Sequence, residues 1–203
     1  MTKLFSPSCE RNCLPILQHL LHYLQSDVHS SKTVLEIGSG TGQHAVFFAE
    51  HMPHLMWQCS DRLENHPSIL AWRAEYAGVN VLAPLELDVS CSTWPSQRYD
   101  AVFTSNTCHI MAWESVQTML QGVAGVLQEG GLLLIYGPFN YGGEFTSASN
   151  ADFDANLKAQ AAHMGIRDQE HMQQEAALHG LILTDDHAMP ANNRLLVFQK
   201  KGK

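Results

Sequence analysis

The chain has 203 residues, 45% of them hydrophobic and 16% charged, enough apolar content for one domain with one core and too much for a disordered chain. A net charge of −8 and no basic stripe argue against a nucleic-acid partner. Five scattered cysteines, Cys9, Cys13, Cys59, Cys91 and Cys108, argue against a disulfide framework, and no CxxC pair supports a zinc site.

Leu14, Leu17, Leu20, Leu21 and Leu24 recur at helical spacing, which predicts a helix over residues 12–25 with Pro15 in its first turn. That run is too short and too interrupted to span a membrane, and the polar start "MTKLFSPSCERN" lacks a signal-peptide core, so a cytoplasmic location is expected. "SDVHSSK" breaks the pattern. "TVLEIG" then reads as a first strand and residues 43–52 as a helix stopped by Pro53. "LMWQCSD" is a second strand, and "HPSILAWRAEYAG" a second helix of this alternation. "VNVLAPLELDV" and "YDAVFTS" give the third and fourth strands. Residues 113–128 read as a helix closed by Gly130-Gly131, followed by the strand "LLLIYGPF".

A Gly/Ser/Thr-rich loop, "NYGGEFTSASN", precedes a helix over 151–162. Asp168 is placed to cap a further helix ending near His179-Gly180. The strands "LILTDDHA" and "RLLVFQK", joined by the short "MPANN", suit an antiparallel pair. Such alternation predicts an α/β fold with a mainly parallel sheet and helices on both faces. No linker or repeat divides it, so residues 1–203 are expected to form one domain.

"EIGSGTG", Glu36 to Gly42, joins the first strand to the first helix of the alternation. Glycines there allow a sharp turn and close approach of a ligand to backbone. A P-loop needs Lys-Ser/Thr after its second glycine, where Gln43-His44 stands. A dinucleotide fingerprint needs its third glycine one residue later than Gly42. The pattern that fits is acidic-x-G-x-G-x-G, Glu36, Gly38, Gly40 and Gly42 with Ser39 between, as in Rossmann-like enzymes that use S-adenosylmethionine. A carboxylate at position 36 suits a cofactor that carries an ammonium and a sulfonium, and would repel a pyrophosphate. Asp61, at the end of the second strand with Arg62 behind it, is placed to accept ribose hydroxyls. Asp88, with Val89 after it, lies on the same carboxyl edge and suits an adenine amino group. A surface carboxylate or a helix cap remains the plainer reading of Asp61, and a solvent-exposed carboxylate that of Asp88.

Beyond these motifs, "SPSCERNCLPIL", "LEIGSGTGQHAVFFA", "SNTCHIMAWE", "GPFNYGGEFTSASNADFDANLK" and "GIRD" resemble a methyltransferase-like family catalogued as domain of unknown function 938. The resemblance spans almost the whole chain. It implies a Rossmann-like seven-stranded sheet with an antiparallel last strand, and S-adenosylmethionine as cofactor. In Rossmann-like methyltransferases the N-terminal segment, here residues 1–30, folds over the cofactor. Tyr141, Glu144 and Phe145 in the long loop read as part of a lid-like insertion over 138–168. The resemblance names no substrate.

In that architecture the loop after the fourth strand, "SNTCHIMAW", meets the transferred methyl group. It lacks the Asn/Asp-Pro-Pro-Tyr pattern common where exocyclic amines or amides are methylated. His109 is the candidate base or, equally, a structural anchor, and Asn106 a cofactor or substrate contact. Cys108 reads as a small buried residue. Arg11 is placed to pair with the cofactor carboxylate or an acidic substrate, a surface arginine being the plainer reading. Arg167 and Asp168 are placed to pin the region around the long loop. Twelve histidines include the i, i+3 pairs His19/His22 and His51/His54, but no regular partner accompanies them, so no metal is expected. The expected activity is S-adenosylmethionine-dependent methyl transfer to a small molecule. The alternatives are a non-catalytic binder of S-adenosylmethionine or S-adenosylhomocysteine, and a nicotinamide oxidoreductase. Oligomeric state is left open.

Overall fold

A computed structural model describes residues 2–25, 31–91 and 93–202. The "SDVHSSK" break falls largely at 26–30, outside the described residues. In chain order the elements are α1 (Pro7–Tyr23), β1 (Lys32–Ile37), α2 (Gln43–His51), β2 (Leu55–Asp61), α3 (His66–Glu75), β3 (Val81–Glu86), β4 (Tyr99–Ser105), α4 (Trp113–Val126), β5 (Leu127–Gly137), β6 (Phe139–Asn140), α5 (Ala148–Gln160), β7 (Arg167–Asp168), α6 (Gln169–Leu178), β8 (Leu181–Met189) and β9 (Asn193–Lys200).

Seven strands form one sheet in the order β3-β2-β1-β4-β5-β9-β8, with β1 parallel to β2 and β4 and the last strand, β9, antiparallel to β5 and β8. This is the α/β fold with a mainly parallel sheet that strand–helix alternation predicts. Pro84 is tolerated in β3 because that strand lies at the sheet's edge. Among the described residues, no helix is long and apolar enough to cross a membrane.

The chain clusters into two compact units, Met1–Asp88 with Tyr99–Thr104, and Val89–Arg98 with Ser105–Lys203. The core of the first is aromatic: Phe48 of α2 meets Trp57 of β2 at 5.5 Å and Phe103 of β4 edge-on at 5.6 Å between ring centroids. In the second, the buried residues Leu133, Leu134 and Ile135 of β5 lie in register with Phe198, Val197 and Leu196 of β9.

Several features differ from the sequence expectation, among them α5, which runs Ala148–Gln160 and not 151–162 because Ser147 caps it, its hydroxyl accepting from Asn150 N at 3.1 Å. α1 begins at Pro7, not at residue 12, because Ser6 caps it, its hydroxyl accepting from Cys9 N at 3.5 Å, and Pro7 fills the first position. Pro15 therefore lies inside that helix, not in its first turn. Gly130-Gly131 do not close α4, which stops at Val126; the chain is already extended at Leu127, and Gly130 bends within β5 at φ 75°. β6 and β7 form a separate two-stranded parallel sheet, too short to carry a sequence pattern. The cap at Asp168 is as expected: its side chain accepts from Glu170 N at 3.2 Å.

Candidate functional site

The first unit holds the glycine loop between β1 and α2. Gly38, Gly40 and Gly42 adopt φ of 69°, 56° and 92°, a left-handed region where a Cβ is strained. Ser39 fastens the loop to β2: its N–H donates to Ser60 O at 3.0 Å, and its hydroxyl accepts from Ser60 N at 3.2 Å. Gly42 adds a steric demand, since a Cβ there would stand 2.9 Å from Ile69 Cα in α3. Gly42→Ala is therefore expected to destabilise the protein by roughly 2–4 kcal/mol, from left-handed strain plus overpacking. Thermal unfolding checks this; a melting temperature within a degree of wild type would show that α3 gives way freely.

Asp61 closes the loop from β2. Its Oδ2 accepts from Gly40 N at 2.7 Å, and its Oδ1 from Arg62 N at 2.8 Å and Asn65 Nδ2 at 2.9 Å. The carboxylate thus joins the glycine loop to the turn after β2. Arg62 points away, its guanidinium paired with Glu64 at 2.7 Å on the surface. Asp88 follows β3 and is exposed, while Leu87 N, just before it, donates to Asp61 O at 3.0 Å.

Glu36 ends in the core of this unit, 2% exposed, with Trp57 Nε1 donating to its Oε2 at 3.0 Å. Burial raises its pKa to about 7, against the opposing hydrogen bonds from Trp57 and Ser39. Asp61's negative charge adds to the rise. The N-terminal segment lies on the same loop. Ser6 N donates to Gln43 Oε1 at the start of α2, and Leu4 N donates at 3.0 Å to Ser68 Oγ, which itself donates to Thr41 O at 2.8 Å. Cys9 of α1 is near enough to Glu36 for the carboxylate's charge to add to the rise of its thiol pKa, after burial. His44, 5% exposed and stacked on Phe48, is held neutral by burial, its pKa lowered to about 4. Arg11 is exposed on α1, with its guanidinium 3.3 Å from Ser8 Oγ.

The second unit holds Val89, Asn106 and His109. Asn106 follows β4 directly and takes a left-handed φ of 59°, uncommon for a residue with a side chain. Its N–H donates to Tyr136 O at 2.8 Å, which fixes the turn on β5. His109 is 6% exposed, with its ring edge-on to Phe153 of α5 at 5.3 Å. Burial lowers its pKa to about 4, and the positive charge of Arg167 adds to the effect. Arg167 pins the loop after β4, not the long loop: it donates to Cys108 O at 3.0 Å, to His163 O at 2.9 Å and to Met111 O. Cys108 is buried, its thiol pushed up to about 12, so it is no nucleophile at neutral pH. In the long loop, Tyr141 donates to Asp186 Oδ2 at 2.6 Å and Gly143 N to Asp168 Oδ2 at 2.7 Å. Among the described residues, no group of three or more His, Cys, Asp or Glu side chains could hold a metal ion.

Sequence reasoning missed Trp57, Asn65 and the Gln43 amide, which hold the predicted residues in place. Only Asn65 carried a local signal, four residues after Asp61 in a turn.

Comparison with solved structures shows the same fold. An O-methyltransferase family protein from Burkholderia thailandensis matches with a TM-score of 0.81 at 16% identity, covering 96% of this chain and 58% of that one. An O-methyltransferase family 2 protein from Planctomyces limnophilus, in complex with apigenin, matches at 0.79 and 17% identity, over 95% of this chain and 60% of that one. PigF, solved with SAH, matches at 0.75 and 17% identity, over 95% and 63%. The chain therefore spans about three fifths of the length of these structures. A family model described as Protein of unknown function (DUF938) matches residues 3–200, and the chain belongs to that family.

Proposed function

We propose that the protein binds S-adenosylmethionine on the glycine loop of its first unit and catalyses methyl transfer to a small molecule. The observation that carries this is the loop itself: three left-handed glycines at a strand end, latched by Asp61 through Gly40 N, beside the buried carboxylate of Glu36. The donor set fits that cofactor. Bare glycine backbone admits close approach, Asp61 Oδ2 keeps acceptor capacity for a ribose hydroxyl, and Glu36 answers a cationic methionyl end. Asp88 would receive the adenine, and Arg11 would swing from Ser8 to the cofactor carboxylate. Two of the solved relatives in fold are named O-methyltransferases, and a third was solved with SAH.

When bound, the cofactor supplies a methyl group already activated by its sulfonium. The residues of this chain need only bind, orient and exclude water. In this reading the segment 1–30 covers the glycine loop, and 138–168 shields the acceptor side. Asn106 holds the acceptor. His109 serves as a neutral anchor more than as a base, because a pKa of about 4 leaves it little proton affinity at pH 7. Accordingly, His109→Ala is expected to raise KM for the acceptor with S-adenosylhomocysteine affinity unchanged. At saturating cofactor, which removes the pH dependence of cofactor binding, wild-type kcat/KM for the acceptor should show no step near pH 6.5; a step there that His109→Ala abolishes would restore the base. A cytoplasmic location accompanies this reading.

Isothermal calorimetry with S-adenosylhomocysteine tests the cofactor assignment directly. Stabilisation by NAD without any by S-adenosylhomocysteine would replace it with nicotinamide chemistry. Labelled cofactor incubated with a metabolite extract, read by mass spectrometry, tests turnover. Binding without transfer across broad metabolite pools would leave a non-catalytic binder.

A further inference from the structure

Gly137 ends β5 beside the loop that follows β4. A methyl built on it would stand 3.8 Å from His109 Nδ1 and 3.9 Å from Asn106 Oδ1, ordinary contact distances. Two polar atoms from different turns of one loop therefore face the same stretch of bare backbone. Among the described residues, neither Asn106 Oδ1 nor the ring nitrogens of His109 take part in a hydrogen bond. The backbone that carries both side chains is nonetheless held in place. The Asn106 backbone is tied to Tyr136 O, Gly165 N donates to His109 O at 2.9 Å, and Arg167 fixes the carbonyls on either side. The Asn106 amide is set by its Nδ2, which donates to Ser105 Oγ at 3.3 Å and leaves Oδ1 for a ligand.

The surroundings state what kind of ligand. Phe153, edge-on to His109, is 39% exposed, and Ile110, next in the chain, is 45% exposed. Large apolar side chains beside buried His109 and half-buried Asn106 suit a flat, apolar molecule with one polar group. That group must donate, because Asn106 Oδ1 only accepts, and it can also accept, because His109 Nδ1 carries the proton in one of its tautomers. A carboxylate is disfavoured: it would meet the Asn106 oxygen, and the nearby guanidinium of Arg167 is already engaged by three carbonyls. An ammonium is disfavoured as well, since Arg167's charge lies close enough to oppose a second cation.

We propose that the slot at Gly137 receives the hydroxyl of a neutral aromatic molecule, its one O–H donating to Asn106 Oδ1 and its oxygen accepting from His109 Nδ1–H, with the aromatic ring against Phe153. This rests on the methyl-transfer reading only in making that molecule the acceptor; the slot itself is a binding claim. Gly137 is then the position that determines specificity, because any side chain there fills the slot.

The test uses three probes that share one bicyclic ring: 2-naphthol, 2-naphthoate and 2-naphthylmethylammonium. Their affinities are measured by saturation-transfer NMR titration at neutral pH, with and without S-adenosylhomocysteine. The naphthol is expected to bind at least tenfold tighter than either charged probe. Gly137→Ala is expected to abolish that binding while leaving the melting temperature near wild type, since its methyl meets nothing closer than 3.8 Å. Phe153→Ala, on an exposed face of α5, is expected to weaken naphthol binding about tenfold. The proposal is overturned if a charged probe binds as tightly, if the naphthol does not bind, or if Gly137→Ala leaves naphthol affinity unchanged. Calorimetry with S-adenosylhomocysteine on the same samples separates the two readings. Its loss in wild type ends the methyl-transfer reading and leaves the slot to stand or fall on naphthol alone.

Discussion

Asp61→Ala should weaken S-adenosylhomocysteine binding by tenfold or more and lower the melting temperature of the free protein as well. The carboxylate accepts three hydrogen bonds, from Gly40 N, Arg62 N and Asn65 Nδ2. Removing it leaves the Gly40 N–H without an acceptor in a site that is 8% exposed at residue 61. A buried donor left unpaired costs about 1–3 kcal/mol, so the glycine loop loses both its latch and its shape. A cofactor bound there loses in addition the oxygen that would accept from its ribose. Asp61→Asn keeps one oxygen, and should fall between wild type and the alanine variant in both measurements. Calorimetry and thermal unfolding read the two effects separately. Reduced stability with unchanged affinity would make Asp61 purely a fastener of the loop and remove it from the binding site.

The second large effect concerns Glu36 and pH. Trp57 and Ser39 donate to it, Asp61 opposes its charge, and Cys9 of α1 and Cys59 of β2 lie near it. Burial dominates, and lifts the carboxyl from 4.5 to about 7. In the free protein the group is therefore near half-protonated at neutral pH. The sign follows from linkage: stability contributed by the protonated form is fully present below about pH 4.5 and is lost as pH rises through about 7. Glu36→Gln should remove that contribution, seen as a urea midpoint that gains on wild type at pH 8 relative to pH 5, since the pH dependence of His44 and His109 is common to both proteins. A cationic ligand favours the ionised carboxylate, so binding should release a proton. S-adenosylhomocysteine keeps the ammonium, and its affinity should rise by up to about tenfold between pH 6 and pH 8. Calorimetry in two buffers of unlike ionisation enthalpy counts the proton. No release in wild type, or the same release in Glu36→Gln, would place the carboxylate out of reach of the ligand's charge.

The parts of the fold that were legible in the sequence are those written in short-range pattern. "LMWQCSD" and "YDAVFTS" read as strands because they are apolar and β-prone, and each occupies the predicted residues, Leu55–Asp61 and Tyr99–Ser105. The cap at Asp168 was legible because capping is local chemistry. α1 was misplaced at its start because its first turns, Pro7 to Cys13, are polar and carry no apolar period; only Ser6-Pro7 marked the beginning. The early start of β5 was hidden because Leu127 continues the spacing of Val123 and Val126, so periodicity alone runs the helix on.

For the candidate site the division is sharper. Glycines at positions 38, 40 and 42 and acids at 36, 61 and 88 stand in the sequence as a pattern, since left-handed turns admit few other residues and strand ends follow from strand boundaries. What the pattern does not contain is which atoms meet. Trp57 lies 21 positions from the Glu36 carboxylate it donates to, and Gly137 lies 28 from the His109 ring that its missing Cβ would touch. The sequence alone determined the alternation of strand and helix, the glycine loop and the residues at its edge, because propensity, periodicity and backbone sterics act within a few residues. Only the tertiary structure decided that Glu36 is buried, that Asp61 latches the glycine loop, and that Asn106 and His109 face one bare glycine. Burial and side-chain direction arise when segments distant in the chain are brought against one another.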